Sequence, residues 1–341
     1  MTAPVDFGIA ALATALGEPQ DVAATVGDYV DDPERVLRWG YHTYHRAAPG
    51  TTPTSLAVRA AEAALAEAGV DGKDLDLLIV ANSEIPEYLH WDFSASVARA
   101  LGLKETPSLL LTQACASGVL AFEQIAGTFA IRPDVENVLL VAVNQVSEAH
   151  RNRMRTNTCL GSDGAAAALL RRGHSALRWL ATEQITDPEC ADFFRAEYGG
   201  SAVPVPPAGL SNLEMDPLTR VHEHFERDPR RLREFITTLN ARIGGVVDRA
   251  CSRAGVAPGK IARLIYLNDN QHSIADAAKA VGLPIERSNA ELAARLGHCG
   301  GADQLICLRE HVNQGDLQAG DVVALVGIAS GMHWFCTLLA I

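Results

Sequence analysis

The sequence predicts an α/β fold made of two similar halves, mainly because the chain repeats itself. Residues 69–83 align without gaps with residues 255–269 and share Gly, Val, Leu, Ile and Asn at matched positions. In both copies a turn precedes a buried strand, and an apolar stretch with helical spacing, 55–68 or 236–254, precedes the turn. Strands covered on both faces by helices are typical of α/β folds.

Two further pairs of segments extend the repeat. A predicted helix follows each strand and ends in Leu-Gly-Leu at 101–103 or in Val-Gly-Leu at 281–283. A later apolar strand, 137–143 or 321–327, follows a polar turn in each half. A chance match is the alternative, because helix, turn and strand follow one another in many α/β proteins. If the repeat is real, equivalent turns of the two halves meet in space.

A segment of different character lies between the halves. Residues 198–209 are rich in Gly and Pro, which predicts a loop, and residues 227–233 are charged and resemble a helix start. We therefore divide the chain into an N-terminal half, 1–172, an insertion that forms a pocket wall or lid, 173–235, and a C-terminal half, 236–341.

The composition indicates a globular, cytoplasmic protein. With 341 residues, of which 48% are hydrophobic and 21% charged, the chain can bury a sizeable core. A net charge of −12 argues against nucleic acid and anionic membranes as partners, because both would repel it. No apolar run approaches the roughly 20 residues that span a bilayer. The apolar N-terminal stretch is better explained as a first strand than as a signal peptide.

Neither disulfide nor metal chemistry is indicated. The seven cysteines are scattered without a CxxC pair, and their odd number is typical of reduced thiols. His222 and His224 are separated by one residue and have no third ligand nearby, which is a weak metal signal. We expect no metal and no bound cofactor.

One cysteine, Cys115, is in a position suited to catalysis. Residues 108–127 predict a buried strand, a tight turn at 113–115 and an apolar helix, so Cys115 lies at a helix N-terminus. Unpaired backbone N–H groups and the helix dipole favour a thiolate there, and the same N–H groups can stabilise an oxyanion. The alternative is a small buried core residue, the commonest role of a free cysteine.

Four segments carry a family resemblance, namely 113–118 with the apolar helix after it, 161–167, 297–301 and 327–334. Together they resemble the type III β-ketoacyl synthase branch of the thiolase superfamily, over nearly the whole chain. The resemblance implies a thiolase fold, in which duplicated halves form a five-layered αβαβα sandwich, and a homodimer. It also implies that Cys115 accepts an acyl group from coenzyme A or from an acyl carrier protein.

The second half departs from the pattern of the condensing members of this family. Those members have a histidine in a His-Gln-Ala-Asn-like run and an asparagine in a later Gly-Asn-Thr-Ser-like run. Here Asp269 stands near the histidine position and His298 at the asparagine position. The same exchange occurs in ketosynthase-like proteins that form esters in antibiotic pathways, which this chain resembles.

The exchange changes the expected chemistry. An arrangement of Cys115, His298 and Asp269 would suit deprotonation of a hydroxyl or amine. The charge of Asp269 would repel the enolate that forms during decarboxylation. We therefore expect transfer to oxygen or nitrogen. The alternative for His298 is a buried histidine whose ring nitrogens make structural hydrogen bonds only.

The alignment of residues 268–272 leaves alternatives open. A shift of one or two residues would direct Asn268 or Asn270 toward the cysteine in place of Asp269. His272 is a rival base or a residue on a helix surface. Asp269 is alternatively a cap or turn residue, a common role of Asp.

The resemblance implies further site residues. Ser330 takes the place of the family's second oxyanion donor, a backbone N–H that acts with that of Cys115. Arg155 lies where family members place an arginine that contacts coenzyme A, with a solvated loop as the alternative. His90 and Trp91 lie near the residue that crosses the dimer interface in relatives.

We predict an acyltransferase that moves an acyl group from a coenzyme A or acyl-carrier-protein thioester, through Cys115, to a hydroxyl or amine of a natural-product acceptor. The family's coenzyme A signature is absent from residues 28–46, so the identity of the acyl carrier stays open. Arginines within 227–233 are a weaker candidate for docking an acidic carrier protein. The alternatives are a decarboxylating β-ketoacyl synthase and a noncatalytic ketosynthase-like subunit that pairs with an active partner.

Overall fold

The computed structural model of the protein describes residues 5–341. The strands are β1 (Phe7–Leu16), β2 (Glu18–Asp21), β3 (Thr43–Arg46), β4 (Leu77–Asn82), β5 (Ser108–Leu111), β6 (Asn137–Asn144), β7 (Gly164–Arg172), β8 (Arg178–Thr186), β9 (Ile261–Ile265), β10 (Val322–Ala329) and β11 (His333–Ala340). The α-helices are α1 (Val22–Thr25), α2 (Pro33–Leu37), α3 (Pro53–Ala68), α4 (Phe93–Ala100), α5 (Ser117–Ile131), α6 (Thr219–His224), α7 (Pro229–Ala254), α8 (Gln271–Ala280), α9 (Ala290–Leu296) and α10 (Asp303–Gln314).

The main sheet consists of two half-sheets. Its strands have the order β5-β4-β6-β7-β1-β8-β11-β10-β9. In the N-terminal half-sheet β4 is parallel to β5 and β6, and in the C-terminal half-sheet β9 is parallel to β10. Among the described residues, only the pair Gly8 and Arg178 joins β1 to β8, so the sheet is nearly divided at this point.

Helices cover both half-sheets and fill the space between them. α3 packs on β1, β6 and β7, while α4 packs on β4 and β5. Between the half-sheets, α5 contacts β4 and β6 on one side and β8 and β11 on the other, and α10 contacts β1, β7 and β9. α7 covers β8, β10 and β11 from the far side and contacts α8. These contacts confirm the predicted thiolase fold and its five αβαβα layers.

Both faces of the strands are buried, which explains their continuous apolar runs. In β4, Leu78 and Val80 join the core under α3 and α4, whereas Ile79 and Ala81 join the core around α5. Successive side chains point to opposite faces of a strand, so each strand contributes to two layers.

The predicted repeat is confirmed by equivalent elements in the two halves. α3 and α7 end at Gly69 and Gly255, which cap them in the left-handed conformation with φ of 63° and 66°. β4 and β9 follow these caps, and α4 and α8 follow the strands. β6 and β10 then pair with the antiparallel strands β7 and β11.

The predicted insertion, 173–235, is too wide. β8 lies inside that range but pairs along its length with β11, so it belongs to the C-terminal half-sheet. α7, which begins at Pro229, covers that half-sheet. Residues 187–228 therefore form the true insertion, and the stretch 17–52 occupies the equivalent place in the N-terminal half.

The apolar helix after Cys115 is a core helix. Residues 114–131 are long and apolar enough to cross a membrane by length and composition, but 56% of this window is buried inside the fold. Val119, Phe122 and Ile125 are fully buried there. Its apolar character is thus explained by its place between the half-sheets.

Candidate active site

The turn that carries Cys115 joins β5 to α5. Ala114 has a left-handed φ of 47°, which is rare for a residue with a side chain. Residues 114–116 form a 3-10 turn that leads directly into α5 at Ser117. The left-handed residue reverses the chain sharply, so half-buried Cys115 lies at the start of a continuous helical segment, as predicted.

His298 belongs to the C-terminal half but is held by the N-terminal half. Its backbone N–H donates to the backbone carbonyl of Leu160 at 2.8 Å, and its backbone carbonyl accepts from the backbone N–H of Ser162 at 2.9 Å. Gly297 precedes it with a left-handed φ of 66°, where an added Cβ would lie 2.8 Å from Cβ of Ser162. Glycine is therefore required at 297 for this crossing of the two halves.

Two more glycines bring the turns of the halves into contact. A Cβ added to Gly118 would lie 2.1 Å from the carbonyl oxygen of Gly301, and one added to Gly300 would lie 2.0 Å from Oγ of Ser83. The Ser83 hydroxyl also accepts the N–H of Gly301 at 3.1 Å. The first turn of α5 and the 297–301 turn therefore pack closely against each other, with no space for an added Cβ atom at Gly118 or Gly300.

This approach places Cys115 and His298 in hydrogen-bond contact. Sγ of Cys115 lies 3.2 Å from Nε2 of His298. The other ring nitrogen, Nδ1, lies 2.6 Å from Oδ2 of Asp303, the first residue of α10. The prediction that Asp269 stands behind His298 is therefore wrong, because Asp303 occupies that place.

Asp303 is fully buried, and both of its oxygens accept hydrogen bonds. Besides His298, Oδ2 accepts the N–H of Asn268 at 2.8 Å. Oδ1 accepts the N–H of Cys299 at 2.6 Å. A buried carboxylate needs such donors to remain charged, so the site provides a desolvated anion directly behind the imidazole.

The charges around His298 determine its protonation. Burial lowers the pKa of an imidazole, and His298 is only 6% exposed. The charge and hydrogen bond of Asp303 oppose the effect of burial, and the pKa of His298 is raised well above its usual value. His298 therefore holds a proton at neutral pH that it can give to a leaving thiolate.

Asp269 acts on the same imidazole from a distance. Its Oδ1 accepts the backbone N–H of Asn270 at 2.7 Å and the side-chain amide of Asn270 at 3.2 Å. Burial raises the pKa of Asp269, and the attraction of His298 opposes this effect. Oδ1 of Asp269 is thus occupied by the turn before α8, and Asp269 interacts with His298 only through space.

The alternatives to Asp269 have structural partners. Asn268 donates from its side-chain amide to the carbonyl of Gly297 at 2.9 Å, which supports the His298 turn. Asn270 caps α8 by accepting the N–H of Ser273 at 3.0 Å. His272 is exposed on the first turn of α8.

The turn that follows β10 lies beside the cysteine. β10 ends at Ala329 and packs against the 114–116 turn, so Ser330 begins a connection close to Cys115. Met332 closes this connection with a left-handed φ of 51°. The role of the Ser330 backbone as an oxyanion donor stays a prediction.

The predicted binding residues have contacts of their own. Arg155 lies 3.8 Å from carboxylates of both Asp31 and Glu214, so it links the N-terminal half to the insertion. His90 is exposed and has a left-handed φ of 52°. Trp91 packs against neighbouring aromatic rings. Their roles toward donor or partner stay predictions.

Residues 5–341 contain no group of three or more His, Cys, Asp or Glu that could hold a metal.

Asp303 is the site residue that the sequence interpretation lacks. A signal for it exists, because Asp303 begins a helix after Gly300 and Gly301, which permit a sharp return of the chain. Without the turn geometry, however, a carboxylate five residues from His298 cannot be distinguished from an ordinary acidic residue in the first turn of a helix.

Comparison with known sequences gives one consistent family. The model for 3-oxoacyl-(acyl-carrier-protein) synthase III matches residues 111–188, and the model for its C-terminal part matches residues 251–341. The beta-ketoacyl-(acyl-carrier-protein) synthase III of Gloeobacter violaceus is 29% identical over 87% of this chain and 86% of the relative. The protein of the same name from Acaryochloris marina is 28% identical over 87% of this chain and 85% of the relative.

Solved structures share the fold over almost the whole chain. A structure named ChlB3 acyltransferase superimposes with a TM-score of 0.86 at 24% identity, covering 98% of both chains. The synthase III FabH of Pseudomonas aeruginosa PAO1 has a TM-score of 0.78 at 22% identity, again covering 98% of both chains. OleA of Xanthomonas campestris has a TM-score of 0.76 at 16% identity and full coverage of both chains.

Proposed function

Because this chain belongs to the 3-oxoacyl-(acyl-carrier-protein) synthase III family of the thiolase superfamily, we propose that it is an acyltransferase whose Cys115 carries the acyl group. The donor is a thioester of coenzyme A or of an acyl carrier protein, and the acceptor is a hydroxyl or amine of a small natural product. The 3.2 Å contact between Sγ of Cys115 and Nε2 of His298 is the observation that carries this proposal.

In the loading step, Sγ of Cys115 attacks the thioester carbonyl of the donor. A bond from the carbonyl carbon to Sγ forms, and the bond from that carbon to the carrier sulfur breaks. The backbone N–H groups of Cys115 and Ser330 stabilise the oxyanion. The proton on Nε2 of His298 passes to the carrier sulfur, so the carrier leaves as a thiol and His298 is left neutral.

In the transfer step, neutral His298 takes the proton of the acceptor through Nε2. The acceptor oxygen or nitrogen attacks the acyl carbon, and the bond from that carbon to Sγ of Cys115 breaks. The proton stays on Nε2 of His298, opposite the thiolate of Cys115. The product is an ester or amide, and the protein regains its resting state.

Three observations support transfer to oxygen or nitrogen. The raised pKa of His298, caused mainly by Asp303 against the effect of burial, suits an acid and base that alternates between two steps. Asp269 lies close enough to His298 for their charges to interact, and a carboxyl group there is a poor neighbour for an enolate. The structural neighbour ChlB3 is itself named an acyltransferase.

A decarboxylating β-ketoacyl synthase is the second candidate. It is favoured by the relatives from Gloeobacter violaceus and Acaryochloris marina, whose names state that function. That reaction needs uncharged hydrogen-bond donors around the enolate, and this chain has Asp269 and the charged pair of His298 and Asp303 there. A noncatalytic partner subunit is less favoured, since it would have no use for the contact of Cys115 with His298.

Intact-mass analysis after incubation with a panel of acyl-coenzyme A and acyl-carrier thioesters tests the loading step. We expect a mass increase of one acyl group, located on Cys115 by peptide mapping. Cys159→Ala is the matched control, because it removes a neighbouring thiol, and it should still be acylated. Stable acylation of Cys115→Ala would contradict the proposed nucleophile.

Incubation with a malonyl thioester separates the two candidate reactions. The proposed transferase moves the whole malonyl group to an acceptor hydroxyl or amine. Release of carbon dioxide with chain extension of a preloaded acyl group would refute the first candidate and establish the second.

We further propose that the protein acts in the cytoplasm as a homodimer. Tyr88 and Leu89, beside His90 and Trp91, are 67% and 75% exposed, and β5 lies at the free edge of the sheet. Apolar side chains and a free strand edge favour pairing with a second copy. Light scattering after size-exclusion chromatography should give twice the chain mass, and a monomer at all concentrations would contradict the proposal.

A further inference from the structure

We propose that Arg151 forms a carboxylate-binding subsite beside Cys115, so that the acyl group carried by this protein ends in a carboxylate. The donor is then the half-thioester of a dicarboxylic acid, and its whole acyl group, carboxylate included, passes to the acceptor. The inference rests on the proposed function, because it names the class of acyl group that Cys115 carries.

The connection from β4 to α4 places Glu84 beside both turns of the active site. The backbone carbonyl of Asn82, at the end of β4, accepts the hydroxyl of Ser117 in the first turn of α5 at 3.3 Å. The hydroxyl of Ser83 accepts the backbone N–H of Gly301 at 3.1 Å. Glu84 comes next in the chain, so it lies where these two turns meet.

Glu84 holds the guanidinium of Arg151 at this point. The side chain of Glu84 is only 7% exposed, and Nη1 of Arg151 donates to its Oε1. The side chain of Asn82 hydrogen-bonds both the backbone N–H and the backbone carbonyl of Glu84, which fixes the loop. A buried carboxylate without a partner is strongly unfavourable, so the ion pair keeps Arg151 at the site.

Arg151 has hydrogen-bond donors to spare. A guanidinium presents several N–H donors in a planar fork, and within residues 5–341 Glu84 is the one acceptor of this guanidinium. The side chain of Arg151 is 46% exposed. Arg153 differs, because its guanidinium is only 2% exposed and pairs with Asp163. The remaining donors of Arg151 are therefore free to bind an anion.

The charge of Arg151 lies close enough to interact with the reacting cysteine. The negative charge of Glu84 raises the pKa of Arg151 most, and the thiols of Cys159 and Cys115 add to this effect against that of burial. An anion bound by Arg151 therefore lies close to an acyl group on Cys115.

A carboxylate on the acyl group fits this position better than a phosphate of the carrier. In coenzyme A and in acyl carrier protein, the long phosphopantetheine arm separates the phosphate from the thioester sulfur. The phosphate is therefore far from Cys115 when the thioester reaches Sγ. In a short dicarboxylic acyl group, the carboxylate is only a few bonds from the thioester carbonyl. Guanidinium and carboxylate also match in geometry, since they form paired hydrogen bonds.

The subsite favours transfer of the acyl group without loss of carbon dioxide. In the loading step, the bond from the acyl carbon to Sγ of Cys115 forms, and the bond to the carrier sulfur breaks. The carrier leaves as a thiol, and the carboxylate stays unchanged. Decarboxylation would turn the carboxylate into neutral carbon dioxide, which offers no charge to Arg151. Pairing with Arg151 therefore stabilises the intact acyl group against decarboxylation.

Loading of Cys115 from N-acetylcysteamine thioesters, which contain no phosphate, tests the subsite. Malonyl is compared with acetoacetyl, and succinyl with levulinyl, because in each pair a methyl group replaces one carboxylate oxygen. We expect the carboxylated member of each pair to load about ten- to a hundredfold faster, the usual effect of a hydrogen bond to a charged group. Intact-mass analysis over time measures the rates.

The ratio of the two rates is then measured in variants, since loss of the Arg151 charge also affects loading of neutral acyl groups. Arg151→Gln should abolish the preference for the carboxylated member, and Glu84→Gln, which removes the competing carboxylate, should increase it. Arg132→Gln, at the far end of α5, is the matched control and should leave the ratio unchanged. Because Arg151→Gln leaves Glu84 without its partner, the double variant Glu84→Gln/Arg151→Gln provides a second test and should also lack the preference.

The outcomes separate this proposal from the proposed function. Equal loading of both members of each pair, or an unchanged preference in the Arg151→Gln variants, would overturn the subsite and leave acyl transfer through Cys115 intact. An effect of Arg151→Gln that is confined to coenzyme A thioesters would assign Arg151 to the carrier phosphate. A preference found only for acceptors with a carboxylate would place the anion on the acceptor. Either result would overturn the proposal, whereas absence of loading from every thioester would refute the proposed function as well.

Discussion

The chain contains two His–Asp pairs of the same spacing that behave in opposite ways. Nδ1 of His298 lies 2.6 Å from Oδ2 of Asp303, and Nδ1 of His311 lies 2.9 Å from Oδ2 of Asp316. Both imidazoles are buried, at 6% and 3% exposure. Nevertheless, the pKa of His298 is raised well above its usual value, whereas that of His311 is lowered.

The difference lies in the carboxylates. The Asp303 side chain is fully buried, whereas that of Asp316 is 34% exposed. Asp316 also lies 3.8 Å from the guanidinium of Arg263, whose positive charge lowers the pKa of His311 further, after the larger effect of burial. In both pairs the carboxylate raises the pKa of its imidazole, but only in the pair with the fully buried Asp303 is the effect of burial outweighed.

The largest expected difference between the pairs is in turnover. His298→Ala should still load an acyl group, slowly, but turnover with acceptor should fall by about 10²- to 10⁴-fold, the usual contribution of a general acid and base. His311→Ala should retain turnover within a few-fold. Steady-state assays of the two variants measure this, and equal turnover would remove His298 from the mechanism.

The carboxylates should differ in their effect on stability. Asp303→Ala leaves a buried imidazole and two backbone N–H groups without their acceptor, so it should lower the free energy of unfolding by about 3–5 kcal/mol. Asp316→Ala removes a partly exposed partner and should cost about 0–1 kcal/mol. Urea unfolding monitored by tryptophan fluorescence compares them, and similar losses would mean that burial does not distinguish the pairs.

The pair of His298 and Asp303 also depends on the close approach of the two halves of the chain. Gly118→Ala introduces a Cβ 2.1 Å from the Gly301 carbonyl oxygen, so the turns must separate. We expect a loss of about 1–3 kcal/mol in unfolding free energy and slower acyl transfer. Gly127→Ala, in the same helix, meets no atom within 4 Å and should be neutral or stabilising by up to about 1 kcal/mol. Equal behaviour of the two variants would contradict the contact.

The two His–Asp pairs should make the free energy of unfolding depend on pH in opposite ways. The folded pKa of His298 is above its ordinary value of 6.5, so its stabilisation is complete below pH 6.5 and is lost as the pH rises through the raised pKa. The folded pKa of His311 is below 6.5, so stability falls as the pH drops through 6.5 toward that lowered pKa.

Unfolding free energies measured between about pH 5 and pH 9 test these signs. His298→Gln should flatten the alkaline limb of the stability profile, and His311→Gln should flatten the acid limb. A change on the same limb in both variants would contradict the comparison.

The sequence carries most of the fold but only part of the site. The repeat and the buried strands follow from local patterns, so two α/β halves and the position of Cys115 at a helix start could be predicted, whereas the five layers are implied by the family resemblance. The extent of the insertion could not, because β8 belongs to the C-terminal half-sheet only through its pairing with β11. The carboxylate behind His298 could not either, since the choice between Asp269 and Asp303 depends on the turn formed by Gly300 and Gly301.

The most direct test of the account is a single-turnover experiment on protein already acylated at Cys115. Mixed with hydroxyl and amine acceptors, the preloaded protein should release its acyl group intact as an ester or amide, and His298→Ala should release it far more slowly. Carbon–carbon bond formation from a malonyl thioester with release of carbon dioxide, or discharge at the same rate without His298, would contradict it.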